Sequence, residues 1–282
     1  MTAMNMESIT TRQINYQVIK QDKEYKKSIS EMRVVERFLE DFGFLSLDRD
    51  FILCGKHILS MQMITTSFEL TCGSIISCCE SGCIADAYSL LRKYRDDMFF
   101  YLYIVVYDKF NKLNHKSSSA VQMKTNIERW INNDLNDLHI GTILKSIGQS
   151  SHVKDAVQKY NLRSYFDVLG NRLNNYVHGN GISFYNRGIN FYKKTDLQKQ
   201  IDLLQKDMRS VTITFLFLLT LCSPHSIMST DYVDYLEYNS DPPEKSQYWV
   251  APFITDFFKR NIDLIDESCI KYLHDNTLME FD

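Results

Sequence analysis

Three side chains at successive three-residue steps have the chemistry to share one phosphate: Arg172, Asn175 and His178, in the stretch Arg172-Leu173-Asn174-Asn175-Tyr176-Val177-His178. The arginine guanidinium is a rigid fork of donors that matches phosphate oxygens. An asparagine amide can hold a hydroxyl or a non-bridging oxygen. Histidine titrates near neutrality and suits proton transfer. Asn171 and Asn174 stand beside Asn175 as alternative orienting groups. His178 falls in the last turn of the predicted helix, where the macrodipole favours positive charge. That placement suits a general acid or an electrostatic stabiliser more than a base.

The element that must hold these residues is a helix over 162–178. At about 100° per residue, Leu162, Tyr165, Phe166, Leu169, Leu173, Tyr176 and Val177 form one apolar face. Ser164, Asp167, Asn171, Arg172, Asn175 and His178 form the opposite, polar face. Gly179-Asn180-Gly181 is a C-terminal stop. Plain solvent exposure also produces a polar face carrying one arginine and one histidine, so geometry alone leaves both readings open.

Periodicity predicts further helices over 23–42, 51–80, 83–111, from Ser118 or Ser119 through Trp130, over 139–161 with a break near Gly148–Ser151, from Thr195 or Asp196 to Cys222, and over 249–274. Residues 182–192, with Asn186-Arg187-Gly188 between aromatic arms, read as a β-hairpin. The stretch 229–244, with Pro242-Pro243, reads as an acidic loop. Gly and Pro number 10 and 4 in 282 residues, too few for the frequent turns of a β-sandwich or barrel. The expected class is therefore all-α. The apolar runs Met98–Tyr107 and Val211–Cys222 are too short to span a bilayer and read as core helices. The N-terminus has no apolar secretory region, and a cytoplasmic location is expected.

Charge is uneven. Residues 154–194 hold seven Lys/Arg and two Asp, whereas 229–282 hold twelve Asp/Glu and four Lys/Arg. This pattern fits either a polyanion site with an internal acidic competitor or two solvated faces. Seven cysteines, at 54, 72, 78, 79, 83, 222 and 269, include no CxxC pair and read as reduced core thiols rather than metal ligands. The P-loop, G-x-G-x-x-G, H-E-x-x-H and G-x-S-x-G signatures are absent from the sequence. Arg92 and Arg95, beside Asp96 and Asp97 on an otherwise apolar helix, read as phosphate contacts or as internal ion pairs. Arg187, among Phe184, Tyr185, Phe191 and Tyr192, could help stack bases or simply pack.

The Arg172–His178 stretch resembles the Arg–apolar–x4–His signature of the HEPN superfamily. The helix Ala87–Asp96, with Leu90-Leu91-Arg92, resembles the upstream helix common in such proteins. The resemblance covers about 51–222. It implies an up-and-down helical bundle over 51–228, with a helical extension at 1–50 and an acidic helical segment, 229–282, packed on the bundle. It also implies metal-independent cleavage of RNA, without a cofactor. The ribose 2′-OH attacks the adjacent phosphate, leaving a 2′,3′-cyclic phosphate and a 5′-OH. Carried over, His178 handles the proton, Arg172 the phosphate charge, and Asn175 the orientation. Asn171, Asn174, Arg92, Arg95 and Arg187 are the expected RNA contacts. One chain supplies one motif, so a homodimer is expected to bring acid and base together. Toxin or antiviral-defence roles against tRNA or mRNA, with a regulatory antitoxin partner, follow from the resemblance. The alternative is a non-catalytic helical module that binds nucleotide or RNA, or an interaction subunit of a defence complex.

Overall fold

Two 29-residue helices carry the longest apolar sequences, and the rest of the chain is built around them. The computed structural model describes residues 17–45, 51–113, 118–134, 138–178, 194–241 and 249–281. In chain order the elements are α1 Lys23–Leu45, the strands β1 Phe51–Cys54 and β2 His57–Ser60, α2 Met61–Ser81, α3 Ile84–Lys112, α4 Ser118–Ile131, α5 Ile140–Ile147, α6 Ser151–Lys159, α7 Leu162–Val177, α8 Lys194–Cys222, α9 Thr230–Glu237, α10 Pro252–Asn261 and α11 Ser268–Thr277. Short 3-10 turns cover Pro224–Ile227 and Ile262–Leu264. The fold is an all-α bundle with one small hairpin.

Helices α1, α2, α3 and α8 form a ring, each packed on the next. Phe42, Phe68, Tyr101 and Phe215, one from each helix, meet at the centre with ring centroids 5.8 to 6.5 Å apart. Most of these pairs are edge-to-face, the arrangement the aromatic quadrupole prefers. Every residue from Val211 to Cys222 is buried, which explains that apolar run. Its threonines satisfy their hydroxyls locally: Thr212 and Thr220 donate to the carbonyls four residues back. No helix among the described residues is long and apolar enough to cross a membrane.

Several local readings shift. Residues 51–60 form a hairpin rather than the start of a helix. Gly55 sits first in the two-residue turn with φ 60°, the position a type II′ turn reserves for glycine. Residues 230–237, read as loop, form α9, and the Ser229 hydroxyl accepts from the Tyr232 amide as its N-cap. The helix read over 249–274 breaks at 262–267 into α10 and α11. The hairpin read at 182–192, with Arg187, lies outside the described residues.

The extension at 1–50 is no appendage where it is described, because α1 is one wall of the ring. The C-terminal segment packs on the bundle: Phe38 of α1 stacks on Phe257 of α10 at 4.1 Å. Phe258, Leu273 and Phe281 join the same continuous core. Cys54, Cys72, Cys79, Cys222 and Cys269 are buried, Cys78 is half-buried and Cys83 is exposed. Burial pushes the Cys222 and Cys269 thiols up to about 12.

Candidate functional site

Helix α7 packs mainly on α3 and, less extensively, on α5 and α6, and its Arg172 and Tyr176 side chains reach Asp207 and Gln200 of α8. Leu162, Phe166, Leu169, Leu173 and Tyr176 are buried, as the apolar face predicts, while Val177 at its edge is exposed. Tyr176 stacks on Tyr88 of α3 at 4.3 Å, and Phe166 meets Phe99 edge-on at 4.6 Å. The helix ends at Val177, and the His178 amide caps it by donating to the Asn174 carbonyl. The exposed imidazole is left at the rim.

A cleft of about 640 Å³ opens where α7, α3, the end of α4 and the start of α5 converge. From α7 come Asp167, Gly170, Asn171, Asn174 and the capping His178. From α3 come Arg92, Arg95, Asp96, Asp97 and Phe100. Trp130 and His139 close the far side. Trp130 is half-exposed and packs against Phe100 at 4.7 Å, which leaves it able to stack on a base.

Arg92 and His178 are 86 residues apart in sequence and meet here, with guanidinium Nη1 3.4 Å from Nε2. The guanidinium has donors only, so Nε2 is the acceptor side of this contact. Asp96 holds both arginines. Its Oδ1 accepts from Arg95 Nε and Nη2 at 2.9 and 2.7 Å, and its Oδ2 lies 3.7 Å from Arg92 Nε. Both arginines are ion-paired, and both line the cleft. Asp97 is engaged by Lys93 and accepts from the Ser67 hydroxyl. Gly170 leaves space for Arg95, whose Nη1 would stand 3.4 Å from a Cβ placed there.

The expected trio is not brought together. Residues six apart on a helix differ by about 120° in direction, so Arg172 and His178 face different neighbours. Arg172 turns away from the cleft to Asp207 of α8, bonding Oδ1 through Nη2 at 2.6 Å. Asp207 is buried, and its Oδ2 and Arg172 Nε have no hydrogen-bond partner among the described residues. Burial pushes the Asp207 carboxyl up to about 6 although Arg172 pulls it down, because the guanidinium satisfies one oxygen of two. Asn175 is exposed and outside the cleft lining. Of the other expected contacts, Asn171, Asn174, Arg92 and Arg95 do line the cleft.

Sequence reasoning did not single out His139 or Trp130 as site residues, whereas the pairing of the arginines with Asp96 is one of its two readings. His139 is the residue before α5, and nothing in its neighbours points to α7. No described residue beyond 178 lines the cleft, and the acids in its lining are Asp96, Asp97 and Asp167. No group of three or more His, Cys, Asp or Glu among the described residues is placed to hold a metal ion. The chain matches no protein-family model, no curated protein and no solved structure.

Proposed function

We propose that the cleft binds RNA and cleaves it by attack of a ribose 2′-OH on the adjacent phosphate, without a metal ion. The observation that carries this is the meeting of His178 with Arg92 in a cleft that also holds Arg95, two asparagine amides and a half-exposed tryptophan. A phosphate entering the cleft competes for Arg92 and frees Nε2. His178 then takes the 2′-OH proton as the new P–O2′ bond forms. Arg92 and Arg95 stabilise charge on the non-bridging oxygens. His139 gives a proton to the departing 5′-oxygen as the P–O5′ bond breaks. Asn171 and Asn174 orient the ribose and phosphate, and Trp130 stacks a base. Arg172 has a supporting role here, holding α7 on α8. With two histidines in one cleft, a second protomer is not required to supply the second proton-transfer group. A toxin or defence role against tRNA or mRNA remains part of the proposal.

The test is RNA cleavage in excess EDTA with mapped product ends. Wild type should yield cyclic-phosphate and 5′-OH ends. His178→Ala should lower the rate at least about 100-fold, the lower range for losing a general acid–base group, with an unchanged melting temperature because the side chain is exposed. Cleavage that persists in His178→Ala sinks this assignment.

A second reading has its own support. Asp96 already compensates both arginines, an arrangement that also suits reversible nucleotide or RNA binding without chemistry. RNA binding by wild type with no cleavage under any activating condition favours it.

A further inference from the structure

On the C-terminal side of the molecule lies a second hollow, of about 440 Å³, that the nuclease reading does not use. Its size falls within the roughly 300–1,000 Å³ range of ligand pockets. Asp231, Asp234, Tyr235 and Tyr238 line it, at the i, i+3, i+4 and i+7 positions of one face of α9 and its cap. Trp249 faces them, and Ser240 closes one end. The opposite face of α9 buries Tyr232 and Val233, so the helix is anchored and its Asp/Tyr face is held outward.

Trp249 is fixed through its backbone. Its carbonyl accepts from the Ser229 amide at 3.1 Å, and it forms a parallel bridge with Glu280. The three rings are not used up by the core: Tyr238 is 81% exposed, Trp249 39% and Tyr235 38%. The Asp231 and Asp234 carboxylates make no ion pair or hydrogen bond among the described residues. Residues 229–241 contain Asp231, Asp234, Glu237 and Asp241 and no Lys or Arg. Aromatic faces and carboxylates that have no partner among the described residues, set around one hollow, attract the same thing, an organic cation.

We propose that this hollow binds a guanidinium or alkylammonium group. Carboxylates of Asp231 and Asp234 accept its N–H donors, while Tyr238 and Trp249 cover its apolar and cationic faces. The group is the Arg or Lys side chain of a basic peptide, or a free polyamine. The site stands apart from the RNA cleft, and its fate does not depend on the nuclease reading.

The experiment titrates the full chain with an end-capped hexapeptide of alternating Arg and Gly, by calorimetry at physiological salt, which screens diffuse attraction. The control peptide carries citrulline, the neutral counterpart of arginine. Saturable binding at one peptide per chain is expected, with the citrulline peptide at least about tenfold weaker. Tyr238→Ala should weaken binding about tenfold without changing the melting temperature, because the ring is almost fully exposed. The double change Asp231→Asn, Asp234→Asn should abolish it. Displacement of the peptide by spermidine supports the proposal with a free polyamine as sufficient ligand; retention supports it with a peptide side chain as the ligand. Undetectable binding, equal binding of the citrulline peptide, or full affinity in Tyr238→Ala overturns it.

Discussion

Two arginines on neighbouring helices make contacts that spacing alone does not suggest. Arg172 shares a short motif with His178 yet bonds Asp207 on α8. Arg92 sits 86 residues from His178 and touches its imidazole. The two should therefore fail differently when removed. Arg92→Ala should lower kcat/KM for RNA by about 100-fold or more, with the melting temperature nearly unchanged. Arg172→Ala leaves a buried Asp207 oxygen unpaired, and should cost on the order of 3 kcal/mol of stability before it costs chemistry. Paired measurements of cleavage rate and urea unfolding on the two variants decide the matter. The reverse pattern returns the phosphate role to Arg172. At this scale the sequence placed His178 at the helix end and Asn171 on its polar face, but Asn174 lines the cleft where Asn175 was expected. The Arg92 contact was not legible, because a long-range pairing leaves no trace in the local order of residues.

At the scale of elements, α7 is a wedge with one flank lining the cleft and one attached to α8. The attachment flank has a titrating group in it. Burial raises folded Asp207 to about 6 from an ordinary 3.8, so the folded state holds its proton more tightly than the unfolded chain does. The stability this contributes is fully present below the lower value and is lost as pH climbs through the higher one. Asp207→Asn cannot ionise. Wild-type stability measured relative to that variant should fall by on the order of 3 kcal/mol across the window and stay flat above it. Urea unfolding of both proteins at several pH values reads this directly. A difference that grows with pH would mean the Arg172 charge outweighs burial. Long helices were the most readable elements. Residues 83–111 and the stretch ending at Cys222 match α3 and α8 almost residue for residue, since their apolar spacing is sustained and their stops are strong. Short apolar runs were ambiguous. Residues 51–60 fit a strand as well as a helix by periodicity, and Gly55 was the sign that decided for a turn. At 229–241 the acidic composition hid a helix that Ser229 caps and Tyr232 and Val233 anchor.

At the scale of the whole molecule, the bundle core does not stop where composition changes. The acidic segment looks separable by charge, yet Phe257 stacks on Phe38, Arg260 pairs with Glu31 at 2.8 Å, and Phe217 of α8 lies against Tyr272 of α11. Ending the chain at residue 228 uncovers those faces of α1 and α8. The truncated protein should therefore be insoluble, or should unfold many degrees lower, rather than gain activity. Expression followed by circular dichroism of any soluble fraction reads the outcome. A folded, more active product would restore the idea of an acidic competitor.

Six of the seven thiols are wholly or partly covered and one, Cys83 at the N-cap just before α3, is open to solvent. A maleimide dye added briefly to the native wild-type chain should therefore couple at Cys83 first, without any engineered cysteine. Nine positions along the same helix stands Arg92. A spectroscopic probe can thus be mounted on the very rod that carries the cleft's cations, so that ligand entry is watched as a change in emission while the rest of the molecule stays unmarked.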